Sequence, residues 1–241
     1  MKIISLVPSI TKTLFDLGLD NHELVGRTKF CIHPENLVKN IPIIGGTKNL
    51  NIEKIKALKP DLILANKEEN VKEQVEELQK YFRVWVSDIK NLKDNENFLW
   101  ELGMVLKNRN EAEKFNQKIT AIFDNFKENK PKKVAYLIWQ NPLMTIGGDT
   151  FINEILEKIG FENIFKNQKR YPEINLEDLE KADYLFLSTE PFPFNEKHVL
   201  ELQIRFPKIK ILLVDGEAFS WFGSHIAEFG TYFENLAGVR N

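Results

Sequence analysis

The chain spells one local plan twice, and this repeat limits its possible folds more than any other feature. Asn51–Ala65 reads NIEKIKALKPDLILA and Asn175–Ser188 reads NLEDLEKADYLFLS. In each, an Asn suited to capping opens a short helical stretch, an aspartate follows, and an unbroken apolar run of strand length closes the unit. Apolar runs without alternation belong to strands covered on both faces, as in parallel sheets. Each run then meets a loop bearing glutamate, at Glu68-Glu69 and at Glu190, and Val84–Asp88 echoes Leu212–Asp215. Strands alternate with helices along the whole chain, which predicts an α/β fold with mostly parallel central sheets in two lobes.

Between the echoes lies EAEKFNQKITAIFDNFKE, residues 111–128. Ala112, Phe115, Ile119, Ile122 and Phe126 recur at spacings of three and four, so one helix face is apolar. Asn110 followed by Glu113 has the pattern of a capping box, and Pro131 stops the helix. This predicts a single long backbone helix joining the lobes. The expected division is residues 1–90 for the first lobe, 91–130 for a helical linker and 131–241 for the second. One stiff connector implies small hinge closure around a largely preformed cleft.

At 241 residues the chain can bury two modest cores or one large one. A formal net charge of -2 gives no electrostatic case for nucleic acid or an anionic membrane. No apolar run approaches the roughly 20 residues of a membrane helix. A single cysteine, Cys31, excludes an intrachain disulfide and a multi-cysteine metal site. Gly45-Gly46-Thr47-Lys48 and Gly147-Gly148-Asp149-Thr150 lack the spacing of a phosphate-binding loop. Neither a G-x-S-x-G elbow nor a zinc deaminase signature occurs, so no catalytic residue is assigned and the case for an enzyme is weakened without being closed, since triads assemble in space.

In open α/β sheets, ligands sit beyond the carboxyl ends of the strands. The loops expected there are aromatic and polar. From the first half they supply Pro8, Ser9, Lys29, Phe30, Cys31, His33, Gly46, Asn66, Lys67 and Glu68. From the second they supply Trp139, Met144, Tyr171, Glu190, Phe192, Phe219 and Trp221. Aromatic side chains on loops have no core to fill, so a cluster of them points to a flat or apolar ligand, or to packing between lobes. Cys31 and His33 form C-x-H, which with Glu68 or Glu190 makes a weak metal-ligand pattern; a buried Cys beside a loop His is the plainer reading.

These stretches resemble the class III periplasmic binding proteins, the helical-backbone or metal-receptor type, and within them the cobalamin-binding proteins of ABC importers. The matching pieces are ISLVPSITKTLFDLGL, IGGTKNLNIEKIKALKPDLILA, NPLMTIGGDTFINEILEKIGFENIF and RYPEINLEDL. The resemblance implies a metal chelate, cobalamin, haem or siderophore–iron, bound in a cleft between the lobes, with no cofactor required. It also implies an ABC permease as partner and no catalysis; no nucleic acid, no membrane insertion and a monomer are expected besides. Pro8, Ser9, Phe30, Gly46, Asn66, Trp139 and Tyr171 would line that cleft, with Phe219 nearby. The chain departs from the cobalamin binders at Asn66, where they resemble one another in carrying Trp.

Two further functions fit the residues: a receptor for a bare divalent metal ion, and a cytoplasmic ligand carrier, sensor or enzyme on the same fold. The opening MKIISLV has no signal-peptide pattern, so the chain as it stands reads as cytoplasmic. A periplasmic or lipid-anchored protein that has lost a leader is the alternative.

Overall fold

A computed structural model describes residues 1–126 and 130–239. The chain forms two compact units. The first comprises residues 1–89, 93–117 and 222–225, and the second residues 90–92, 118–221 and 226–241.

The first unit runs β1 (Ile3–Ser5), α1 (Pro8–Asp16), β2 (Leu24–Arg27), α2 (Glu35–Val38), the short strands β3 (Gly45–Gly46) and β4 (Asn49–Leu50), α3 (Ile52–Leu58), β5 (Leu62–Asn66), α4 (Lys72–Gln79) and β6 (Val84–Ser87). Its sheet has the order β2-β1-β5-β6, with every pairing parallel. Helices α5 (Leu92–Val105) and α6 (Arg109–Asp124) come next in the chain.

The second unit contains β7 (Lys132–Trp139), β8 (Met144–Thr145), α7 (Phe151–Lys158), β9 (Phe161–Asn163), a 3-10 turn at Leu176–Lys181, β10 (Tyr184–Ser188), α8 (Glu196–Arg205), β11 (Lys210–Val214), α9 (Gly216–Ser220) and α10 (Gly230–Gly238). Its sheet has the order β11-β10-β7-β8, with β9 also on β7. Only the β7–β8 pair is antiparallel. β5 and β10 are buried at every position, as unbroken apolar runs require. The fold is the two-lobe α/β architecture expected.

The repeated aspartate has the same task in both units. Asp61 Oδ2 accepts from the Lys2 N–H at 2.7 Å, and the Asp61 N–H donates to the Lys2 carbonyl at 2.8 Å. Asp183 does the same with Lys133, at 2.9 Å for both bonds. Each aspartate thus fixes where one central strand begins against its neighbour and satisfies a backbone donor at the sheet's amino edge. The repeated asparagines are less alike. Asn51 caps α3 by accepting from the Lys54 N–H at 2.9 Å. Asn175 makes no side-chain cap, and it opens a 3-10 turn in place of an α-helix.

Pro8 occupies the first turn of α1, where its missing N–H costs nothing, and Ser9, expected on a loop, is buried inside the helix. α6 begins at Arg109, so Asn110 lies within it, and Glu113 accepts from Gln117 and not from a cap. α6 ends at Asp124; residues 127 and 128 of the expected helix lie outside the described residues. Asp215 Oδ1 accepts from the N–H groups of Glu217 and Ala218 and starts α9 where a loop was expected.

α6 is shared by the units, through Gln117 with the first and from Lys118 with the second. Its buried stripe includes Asn116 and Phe123 besides Ala112 and Ile119. Asn116 is tolerated because its amide donates to the Glu96 carbonyl at 3.1 Å. Residues 222–225 return to the first unit. Asn95 brackets Gly223 through both its amide and carbonyl, Thr13 and Asp16 hold Ser224, and Phe222 packs edge-on against Phe98 at 5.4 Å.

The second unit has an aliphatic cluster around Leu137, Leu185 and Leu187, and a second part of its core is a chain of rings. Phe161, Phe186, Phe219 and Phe233 meet at centroid distances of 4.9, 6.4 and 5.6 Å, and Tyr136 stands 5.2 Å from Phe219. Edge-to-face contacts of this kind add stability beyond area burial.

Two substitutions test these local arguments. A side chain at Gly148 would run into the Lys166 carbonyl oxygen. Gly148→Ala should therefore cost on the order of 2–3 kcal/mol in urea unfolding; an unchanged midpoint would contradict the close approach. His198 Nδ1 accepts from the Asn195 N–H at 3.1 Å in a capping box at the start of α8. His198→Ala should cost about 1 kcal/mol.

Candidate functional site

In the first unit, the loops after β1, β2, β5 and β6 leave the same edge of a parallel sheet. What fixes them is a set of buried polar side chains. Arg27, at the end of β2, is buried and donates to the carbonyls of Val38, Thr28 and Cys31 at 2.8, 3.2 and 3.1 Å. Asn66, at the end of β5, donates to the Ser87 carbonyl and hydroxyl at 3.2 and 3.1 Å, and its Oδ1 accepts from the Glu68 N–H at 2.9 Å. Asn70 donates to the carbonyls of Leu6 and Thr47 and accepts from the Asn66 N–H. One amide thereby ties the loop after β1, the β3–β4 hairpin and the loop after β5 together. Lys48 adds a bond to the Glu68 carbonyl at 2.6 Å.

These bonds sort the residues singled out from the sequence. Asn66 is buried with both ends of its amide engaged, so it shapes the loop and offers a ligand no free amide. Cys31 is fully buried, with its Sγ 3.1 Å from the Thr28 hydroxyl, and burial pushes its thiol up from the ordinary range. Its surroundings are those of a buried structural cysteine. His33 is half-buried and Ser9 buried. Phe30 is 49% exposed, and its ring edge lies 3.3 Å from where a side chain at Gly46 would begin. Lys67 pairs with Asp88 at 2.7 Å.

In the second unit, Trp139 ends β7 and is 38% exposed. Its indole N–H donates to the Asn141 carbonyl at 2.9 Å, so the group left available is the ring face. Phe192 stands edge-on to it at 5.6 Å and is itself backed by Phe194 at 4.7 Å and His198 at 5.5 Å. Met144 is paired with Trp139 across β7 and β8. Tyr171 is exposed, next to Arg170, whose N–H donates to Asp149 at 2.6 Å.

Other residues of this unit prove to be internal. Phe219 is fully buried in the ring chain described above and is a core residue, contrary to its expected place on a ligand-facing loop. Trp221 is also buried. Glu190 accepts from the Ser220 hydroxyl at 2.6 Å, and its carbonyl accepts from Ser188 at 2.6 Å. Tyr136 donates to that same Ser188 hydroxyl at 3.1 Å, and burial pushes its phenol up, so it stays a neutral donor. Among the described residues no group of three His, Cys, Asp or Glu side chains that could hold a metal ion is found.

Sequence reasoning did not single out Arg27, Asn70, Lys48 or His198. Lys48 and Asn70 donate to backbone carbonyls far off in sequence, 20 residues away for Lys48 and 23 and 64 for Asn70, so nothing local announces them. Arg27, set in an otherwise apolar strand, and His198, three residues after Asn195, did give a local signal.

A two-lobe α/β fold with parallel sheets, whose carboxyl edges carry exposed aromatic side chains, defines a class of solute receptors. The chain belongs to the periplasmic binding protein family, whose model matches residues 3–199. It is 28% identical over 196 residues to the vitamin B12-binding protein of Vibrio vulnificus, a match spanning 78% of this chain and 71% of that one. The crystal structure of the periplasmic vitamin B12 binding protein BtuF of Vibrio cholerae superposes with a TM-score of 0.83 at 20% identity, over 99% of this chain and 96% of that one. The periplasmic haem binding protein HutB of Vibrio cholerae gives 0.80 at 21% identity, over 98% of each chain. These matches overturn the cytoplasmic placement read from the opening residues: the family and its structural neighbours are periplasmic, which points to the periplasm. No helix among the described residues is long and apolar enough to cross a membrane.

The half-buried carboxylate of Glu69 supplies a prediction. Burial raises its pKa, opposed by Lys48 and assisted by Glu68. A raised folded pKa means the fold favours the neutral acid. Its contribution to stability is therefore present below the ordinary value of 4.5 and lost as pH rises through the folded value. Glu69→Gln should melt higher than the parent protein at pH 7, and the gap should close in acid. A lower melting temperature at pH 7 would contradict the assignment.

Proposed function

We propose that this protein is the ligand-binding component of an importer for a metal chelate of the corrinoid, haem or ferric-chelate kind. The observation that carries this reading is the Trp139–Phe192 pair. Trp139 has its N–H satisfied by Asn141 and its ring face half-exposed, and Phe192 backs it edge-on. A ring presented this way recognises a flat or apolar surface by stacking, without a demand for hydrogen bonding. Phe30 and Tyr171 offer further exposed rings at the carboxyl edges of their own units. Kinship with a vitamin B12-binding protein, and a fold shared with haem binders, support a chelate over a bare ion.

The role is capture and release, with no bond made or broken. Pro8, Phe30, Gly46, Trp139, Met144, Tyr171 and Phe192 are the proposed contacts. Asn66, Cys31 and Phe219 hold the loops and core that position them. The proposed partner is the permease of an ABC importer.

Isothermal titration against cyanocobalamin, haemin and a ferric siderophore tests the proposal. At least one should bind, and Trp139→Ala should weaken that binding roughly tenfold while leaving the fold intact. No heat and no thermal shift with any of the three would sink it.

A further inference from the structure

The first unit carries two exposed ammonium groups, Lys29 and Lys48, that stand outside its ion pairs, with Glu69 acting on Lys48 through space. Lys29 lies just past β2, and its N–H donates to the Gly45 carbonyl at 2.8 Å. Its Nζ stands 5.0 Å from the centroid of the half-exposed Phe30 ring. The Lys29 stem and the Phe30 ring both rest where Gly46 has no side chain, 3.5 and 3.3 Å from the position its Cβ would take. Lys48 sits two residues further along. Its ammonium donates to the Glu68 carbonyl at 2.6 Å, which uses one of its three donors. Among the described residues neither ammonium is in an ion pair, whereas Lys67 on the same edge is paired with Asp88. The acidic neighbours on the β5 loop, Glu68 and Glu69, are half-buried, and burial favours the neutral form of Glu69.

We infer that Lys29, Phe30, Gly46 and Lys48 form a specificity element that selects chelates bearing a free carboxylate at the edge of a flat or apolar body. This rests on the chelate-binding role proposed above and deepens it by naming the charge of the ligand. Phe30 covers the apolar body. The ammonium groups, fixed by Gly46 and by the Glu68 carbonyl, meet the acid. A charge-assisted hydrogen bond to carboxylate is stronger than one to a neutral amide or ester, so an uncharged analogue keeps the stacking and loses the selection. Both lysines are exposed, so the preference weakens as salt screens it.

The test compares three probes on the full chain by titration calorimetry: haemin, with two edge carboxylates; its dimethyl ester, with none; and cyanocobalamin, whose peripheral groups are amides. The parent protein should bind haemin roughly five- to tenfold more tightly than the diester at low salt, with the ratio shrinking as salt rises. In the double variant Lys29→Gln, Lys48→Gln that ratio should fall toward one, while Lys114→Gln, an exposed change on α6, should preserve it. Melting curves confirm that each variant is folded. Three results overturn the inference alone: equal affinity for acid and ester, a ratio the double variant does not change, or binding of cyanocobalamin without haemin. Failure of all three probes to bind also overturns this inference; if a ferric siderophore fails to bind as well, the chelate-binding role falls with it.

Discussion

In a parallel sheet every strand ends at the same edge, and the site depends on that geometry. β2, β1, β5 and β6 run one way in the first unit, and β7, β10 and β11 run one way in the second. Asp61 and Asp183 fix the amino edges through paired backbone bonds to Lys2 and Lys133. The loops that follow the strands are thereby delivered to the opposite edges. The price is a dense set of buried backbone groups where four loops converge without a ladder to pair them.

Side chains meet that demand. In the first unit Arg27, Asn66 and Asn70 supply the donors and acceptors that a regular ladder would have supplied. In the second, Asp215, Ser188, Thr189 and Tyr136 do so around β10 and β11. Buried networks of this kind rigidify when every member is satisfied. Their members are therefore scaffold, and the surface proposed for a ligand is what they hold in place: Phe30 with its lysine, and Trp139 with Phe192. A preformed aromatic surface loses little freedom on binding, which favours affinity for rigid ligands.

The fold was legible because local pattern suffices for it. Apolar runs at Leu62–Asn66 and Tyr184–Ser188 could only be two-sided strands, and the shared aspartates had a shared cause. The proposed site was legible as candidates only: Trp139 and Phe30 are exposed rings and Phe192 a half-buried one, at or just past the ends of their strands. Phe219 could not be placed from sequence, because the Asp215 cap turns its loop into a helix and aims the ring at Phe233. Asn66 had the look of a loop residue, and nothing local shows that Ser87, 21 residues away, takes its amide. The return of residues 222–225 to the first unit depends on Asn95, 128 residues distant, and no period or motif encodes such a pairing.

The central claim is that these edges exist to hold an intact metal chelate. Native mass spectrometry with metal analysis addresses it most directly, on protein purified without chelators from cells supplied with cobalamin, haem and iron. The account predicts a one-to-one complex from which metal and organic ligand are released together on unfolding. A bare metal ion, a metal-free organic molecule, or an empty protein under that supply would contradict it.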